Sequence, residues 1–377
     1  MHTPAGFPES EAGGLLTIDL DAIVANWREL AGRATAASCA AVVKADAYGC
    51  GIGPVAAALT KAGCETFFVA HLAEARSVRA VAPNGTIYVL NGLGPGTAPV
   101  FAVANLRPVL GTPDEVAEWH AFTRTSGWTD EAALHVDTGM NRLGLNFAEA
   151  EALSGQRASE RPALALVMSH LACAEQPDHP LNARQIAAFR EIRALFPGVA
   201  GSLANSSGIF LSPDAHHDLV RPGVALYGAN PTPGHINPMR PVVTLRGRVV
   251  QVRHVRAGET VGYGATWTAQ RPARIAVVAV GYADGLLRAA GGRDDKAGAR
   301  AVVAGRPCPI VGAVSMDLLA IDVTDTGTGE RGPRRGDFAT LIGDGIGVDD
   351  LAAHAGTIGY EILTSLGRRY ARAYRGG

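Results

Sequence analysis

Of the chain's 34 lysine and arginine residues only three are lysines, Lys44, Lys61 and Lys296. Arginine replaces lysine as a surface cation, but its guanidinium does not surrender a proton to attack a carbonyl, whereas a desolvated lysine amine does. Lys44 stands in Ala41-Val-Val-Lys-Ala-Asp-Ala-Tyr-Gly-Cys-Gly51, where an apolar run leads into it and a turn follows. That is the C-terminal end of a strand, from which α/β barrels carry out chemistry. Lys44 is therefore a candidate Schiff-base lysine, the plainer reading being a surface lysine at a strand end. Lys61 follows a helical run and Lys296 lies in the charged Gly292-Arg-Asp-Asp-Lys296, and neither has such a setting.

Further polar residues stand at the ends of the segments that must position them. Between residues 17 and 229 short apolar runs alternate with amphipathic stretches. The spacing predicts a first helix from Leu20, with Asp19 as its N-cap, and eight strands at 40–45, 66–71, 86–91, 107–111, 132–137, 163–170, 201–205 and 219–226. Helical stretches at 112–125 and 181–196 lie between them. Lys44 ends the first strand, Asp137 the fifth, His170 the sixth, Asn205 and Ser206 the seventh, and Arg221 lies in the eighth. Singly, each has a bland account: a helix cap, an interior histidine, an ion pair. Together they line one face of an eight-stranded barrel, with a doubly wound open sheet as the alternative.

Four prolines in residues 230–241 break the pattern. Beyond them a Val-rich region predicts strands at 242–255, 274–281, 301–311, 315–323 and 337–342, and a closing helix from 349 to about 374. The expected fold is α/β: an N-terminal (β/α)8 barrel over 1–238, followed by a mostly β C-terminal domain over 239–377.

Composition limits the function classes. A net charge of −1 gives no electrostatic reason for nucleic acid or an anionic membrane. The apolar runs are interrupted well short of a membrane span. Residues 1–14 lack the charged and apolar regions of a signal peptide. Five cysteines (39, 50, 64, 173 and 308) lack framework spacing and read as reduced thiols, so a cytoplasmic protein is expected. No metal site is expected, since His216-His217 has no partner ligands at useful spacing. Gly92-Leu-Gly-Pro-Gly96 fails as a dinucleotide fingerprint, because Pro95 intervenes and the third glycine is missing.

Eight segments resemble, in order, those of the alanine racemase family: Val42-Val-Lys-Ala-Asp-Ala-Tyr-Gly49, Val136-Asp-Thr-Gly-Met-Asn-Arg-Leu-Gly144, Met168-Ser-His170, Ala204-Asn-Ser206, Arg221-Pro-Gly-Val-Ala-Leu-Tyr-Gly228, Val261-Gly-Tyr-Gly-Ala-Thr-Trp267, Gly281-Tyr-Ala-Asp-Gly285 and Ser315-Met-Asp317. The resemblance runs from Thr17 to about Arg372. It implies a pyridoxal 5'-phosphate (PLP) enzyme that interconverts L- and D-alanine, supplying D-alanine for cell-wall peptidoglycan, and a homodimer with shared sites.

By that resemblance Lys44 carries the cofactor and is one of two bases on opposite faces of the substrate carbon, Tyr263 being the other. A planar carbanion returns the other enantiomer only if a second acid protonates its opposite face. A free phenol, with a pKa of about 10, is a weak base at neutral pH, and His170 matches the family histidine that tunes it. Arg221 matches the arginine facing the pyridine nitrogen, which keeps that nitrogen unprotonated and restrains side reactions. Asn205, Ser206, the amides of Gly223 and Val224, Tyr48 and Tyr360 match the cofactor pocket. Arg142, Met316, Asp317 and Tyr282 match the substrate end.

Three positions depart from the family pattern. His135 stands where many relatives have a carboxylated lysine orienting the arginine seven residues on, Asp46 where asparagine is usual, and Cys50 where histidine is usual. Racemases of serine or larger amino acids share the framework and are the alternative function. A PLP-dependent decarboxylase of this barrel class would lack Val261-Gly-Tyr-Gly264 and pair the ring nitrogen with a carboxylate. A PLP-carrier protein would be a lone barrel.

Overall fold

Asp19 ends one strand and starts the first helix: its carboxylate accepts the Ala22 N–H at 2.8 Å and caps Leu20–Arg33, as the spacing predicts. The computed structural model describes residues 8–129, 131–327, 329 and 332–377, so part of the polar N-terminal stretch lies outside it. Seven parallel strands follow in sequential order: Ala41–Val42, Thr66–Val69, Thr86–Val89, Arg107–Leu110, Ala132–His135, Leu164–Met168 and Ala200–Ser202. The eighth, Leu219–Val220, pairs in parallel with Ser38–Cys39 at the start of the first. Backbone bonds from Asp218 to Gly201 (3.0 Å), Arg221 to Ala204 (3.0 Å) and Val42 to Pro222 (3.0 Å) close the ring.

The eighth strand is shorter than the apolar run 219–226 predicts. Pro222 has no N–H for the ladder, and Val224–Tyr227 coils into a 3-10 turn. The fifth and sixth strands also stop early, freeing their polar ends.

The proline-rich segment 230–241 joins the barrel to an eight-stranded sheet whose order is Ala273–Val278, Leu319–Asp322, Arg306–Val311, Arg300–Val303, Phe338–Ile342, Val243–Val255, Gly14–Asp19 and Ala371–Arg375. Its pairings are antiparallel except the last, between Gly14–Asp19 and Ala371–Arg375. The N-terminal strand, which precedes the barrel in sequence, is thus built into the second sheet. One hydrophobic cluster runs through both parts.

Three C-terminal expectations are corrected. Run 301–311 is a hairpin turning at Ala304 and Gly305, both left-handed (φ 49° and 74°). Residues 315–318 form a turn ahead of Leu319, with the Ser315 N–H donated to the Leu318 carbonyl. The closing helix is two helices, Val348–Ala355 and Gly359–Ser365, then the strand Ala371–Arg375, because left-handed Gly356 (φ 71°) terminates the first.

Candidate active site

The chain leaves the first barrel strand at Lys44 and immediately turns left-handed. Ala45, Asp46, Ala47 and Tyr48 have φ of 53–54° and Gly49 has 78°. Such a conformation costs a residue with a Cβ about 1–2 kcal/mol, so surrounding bonds must hold it. The Ala45 N–H donates to Glu74 Oε1 at 2.6 Å, Ala47 to the Val43 carbonyl at 2.9 Å, and Gly49 to the Ala45 carbonyl at 2.8 Å. Asp46 Oδ1 accepts the Ile52 N–H at 2.8 Å, the acceptor role an asparagine would serve there. Arg372 donates to the Gly49 carbonyl at 2.6 Å, and a Cβ on Gly49 would lie 2.3 Å from the Leu363 carbonyl oxygen. Lys44 itself is half-buried. Burial lowers its amine pKa, the Arg142 charge lowers it further, and Glu74 opposes both.

Across the barrel mouth Arg221 is 3% exposed. Its partners are all neutral oxygens: Ser202 Oγ, the Ser169 carbonyl at 2.5 Å and the Leu203 carbonyl at 3.4 Å. Burial pulls its pKa down to about 9, which leaves it charged at neutral pH. Two histidines share this neighbourhood. His170 is held well below its ordinary value by burial, then by Arg221, Arg142 and Lys44. His135 is lowered to about 4 by burial, then by Arg221 and Arg142. Both are neutral imidazoles among cations. Gln185 Nε2 ties the strand ends together, donating to the His170 carbonyl at 2.9 Å and Thr138 Oγ at 3.1 Å, and Thr138 Oγ meets Ser169 Oγ at 2.8 Å.

The turns after the seventh and eighth strands meet at Ser206. Buried Ser206 Oγ accepts the N–H of Gly223 at 2.9 Å and of Ala225 at 3.3 Å, which ties the turn after the seventh strand to the turn after the eighth. Gly223 is required by proximity, since a Cβ there would sit 2.4 Å from Tyr48 Oη. Tyr48 stacks on Tyr227 at 4.7 Å and leans against Tyr360 at 6.1 Å, whose hydroxyl donates to Glu175 at 3.0 Å. Asn205 Oδ1 accepts the Gly208 N–H at 2.9 Å, holding the turn that presents Ser206. A groove of about 620 Å³ between helices Pro113–Ser126 and Phe147–Ser154 contains none of these residues.

The remaining candidates lie on the second domain. Tyr263 is 69% exposed, in a loop bent by left-handed Gly262, Gly264 and Ala265. Tyr282 and Met316 are also exposed, and their loops are locked together by the N–H groups of Tyr282 and Ala283 donating to the carbonyls of Ser315 and Met316, both at 3.0 Å. Asp317 is engaged by Arg369 at 2.7 Å, which also grips buried Asp284. One chain thus gathers Lys44, His135, His170 and Arg221, with the Arg142 charge acting on them, and leaves Tyr263, Tyr282, Met316 and Asp317 facing solvent. Sequence reasoning missed Glu74, Gln185, Thr138, Ser202 and Tyr227. A polar residue in the buried row of a helix, as Gln185 is, was the one available signal.

Sequence profiles described as "Alanine racemase, N-terminal domain" and "Alanine racemase, C-terminal domain" match residues 18–231 and 242–374. The chain is 56% identical over 365 residues to an alanine racemase of Methylobacterium sp. (strain 4-46), covering 97% of this chain and 98% of the relative. It is 48% identical over 379 residues to a catabolic alanine racemase of Mesorhizobium japonicum, covering 100% and 97%. The crystal structure of alanine racemase from Bartonella henselae with covalently bound pyridoxal phosphate superposes with a TM-score of 0.90 at 40% identity, covering 97% of this chain and all of that one. The chain belongs to the alanine racemase family, whose members are PLP-dependent isomerases.

Proposed function

We propose that this enzyme interconverts L- and D-alanine with PLP held on Lys44, in a homodimer whose two sites each join one barrel to the second domain of the partner chain. The observation that carries this reading is Arg221, a fully buried cation whose partners are all neutral oxygens, at the same barrel mouth as the desolvated Lys44 amine. A carboxylate there would suit a decarboxylase; a guanidinium suits an unprotonated pyridine nitrogen.

The residues fit the cofactor. Ser206 and the amides of Gly223 and Val224 would hold its phosphate, with the hydroxyls of Tyr48 and Tyr360 beside them, and glycine at 223 leaves the room a Cβ would take. When bound, PLP supplies an electron sink for the negative charge left on the substrate α-carbon. Lys44 moves the α-proton on one face, and burial raises the share of its amine that is free to do so. Tyr263 of the partner subunit moves it on the other face. Two bases are needed, because one base returns the proton to the face it came from. Neutral His170 accepts a hydrogen bond from the phenol. Arg142, with the Met316 amide and the Asp317–Arg369 pair of the partner subunit, shapes the carboxylate end, and Tyr282 of the partner subunit and Tyr360 keep the pocket small enough to favour one methyl group.

The two enantiomers have equal free energy, so consumption sets the direction of flux. Supply of D-alanine to the cell wall is the proposed role, with degradation, as the catabolic relative's name indicates, the opposite direction. A cytoplasmic location is proposed with it, supported by five free thiols. Among the described residues no helix is long and apolar enough to cross a membrane.

Racemisation measured over alanine, serine and larger amino acids tests the reading. The expected result is kcat/KM highest for alanine, falling by about tenfold or more for serine. A higher value for serine replaces it with the serine-racemase alternative.

A further inference from the structure

One carboxylate joins the ends of the first two barrel strands. Glu74 lies in the first turn of helix Leu72–Arg79, and its Oε2 accepts the N–H groups of Ala70 at 2.8 Å and His71 at 3.1 Å. Those bonds cap its own helix. They do not explain the third, from the Ala45 N–H to Oε1 at 2.6 Å, which reaches 29 residues back along the chain.

The ladder between the two strands shows what this third bond does. Its last rung is the Val43 N–H donated to the Phe68 carbonyl at 2.9 Å. The two-residue step of a parallel ladder would next set the Ala45 N–H on the Ala70 carbonyl. Glu74 takes that N–H instead. The first strand therefore leaves the sheet at the residue after Lys44, and the left-handed run begins there. An ionised acceptor is the strongest partner that amide could have.

Glu74 is also the negative charge facing the Lys44 amine. The opposing cation is Arg142, from the loop after the fifth strand. His170, from the end of the sixth strand, feels Lys44 and is itself flanked by Arg221 and His135.

We propose that Glu74 is a positioning residue for Lys44, fixing the backbone from which that side chain leaves the barrel and setting the charge its amine meets. The inference rests on Lys44 as the PLP anchor.

Loading of PLP onto the cofactor-stripped protein is the readout, followed by visible absorbance and by borohydride trapping with peptide mapping. The free Lys44 amine adds to the PLP aldehyde and water leaves, so the loading rate follows the deprotonated amine and its pH profile inflects at that amine's pKa. Glu74→Gln keeps the size and removes the charge. Its inflection should move to lower pH by about half a unit or more, and its alkaline plateau should fall about tenfold as the turn loosens. Glu74→Asp keeps the charge and shortens the reach, so it should lower the plateau while holding the wild-type inflection. A merely structural glutamate would slow loading without moving the inflection.

A wild-type profile in Glu74→Gln, with trapping still on Lys44, overturns the proposal. If Glu74→Gln does not fold, Glu74→Asp decides: a tenfold lower plateau at unchanged Tm supports the role, and an unchanged plateau refutes it. Trapping of wild-type protein on a residue other than Lys44 instead overturns the underlying PLP reading, and this inference with it.

Discussion

The Arg221 guanidinium donates to the Ser169 carbonyl at 2.5 Å, one residue before His170, so the cation of the eighth strand and the histidine of the sixth are held as one unit. After burial, Arg221 is the largest influence keeping His170 neutral. Replacing it with glutamine removes that charge and lets the His170 pKa rise toward its ordinary value. The acid limb of the kcat/KM profile of Arg221→Gln should accordingly move to higher pH. An unmoved limb would show that His170 does not report on Arg221.

Gly223 and Tyr48 give a steric test. A Cβ at 223 would lie 2.4 Å from Tyr48 Oη, so Gly223→Ala should weaken PLP retention by about tenfold or more, measured by dialysis and absorbance. Gly53→Ala is the control: nothing lies within 4 Å of a Cβ there and the site is helical, so PLP retention should be unchanged and Tm equal or higher. Equal loss of PLP in both variants would contradict the proposed pocket.

His135 makes stability depend on pH. Its folded pKa of about 4 lies below the ordinary histidine value near 6.5, so between those limits the unfolded chain binds more protons than the folded one. The stabilising contribution is complete above about 6.5 and is lost as pH falls toward 4, by an amount on the order of 3 kcal/mol at most. Urea unfolding at pH 7 and pH 5 should therefore show a smaller loss of stability in His135→Gln than in wild type. An identical loss in both would mean that His135 is accessible to protons in the folded state.

How much of this was legible in the sequence follows from distance along the chain. Lys44, Asp137 and His170 were found because each ends a local apolar run, Arg221 because it interrupts one, and the barrel because its strands pair with sequence neighbours. Gly14–Asp19 was not found as a strand of the second sheet, since its partners lie at Val243–Val255 and Ala371–Arg375. Glu74 was not found, because the bond that ties it to Lys44's strand reaches 29 residues along the chain, to the Ala45 N–H. Asp317 matched a substrate-binding motif, but its side chain pairs with Arg369, a contact no local pattern announces.

Lys44 is half-buried in the barrel while Tyr263 is 69% exposed on the second domain, and in the proposed dimer each site takes one from each chain. Mixing Lys44→Ala dimers with Tyr263→Phe dimers, each inactive, under conditions that exchange subunits tests it directly. A hybrid dimer collects both defects in one site and none in the other. With random exchange half the dimers are hybrids with one good site of two, and about a quarter of wild-type racemisation should return. No recovery despite demonstrated exchange would put Lys44 and Tyr263 in the same chain's site and contradict the shared-site account.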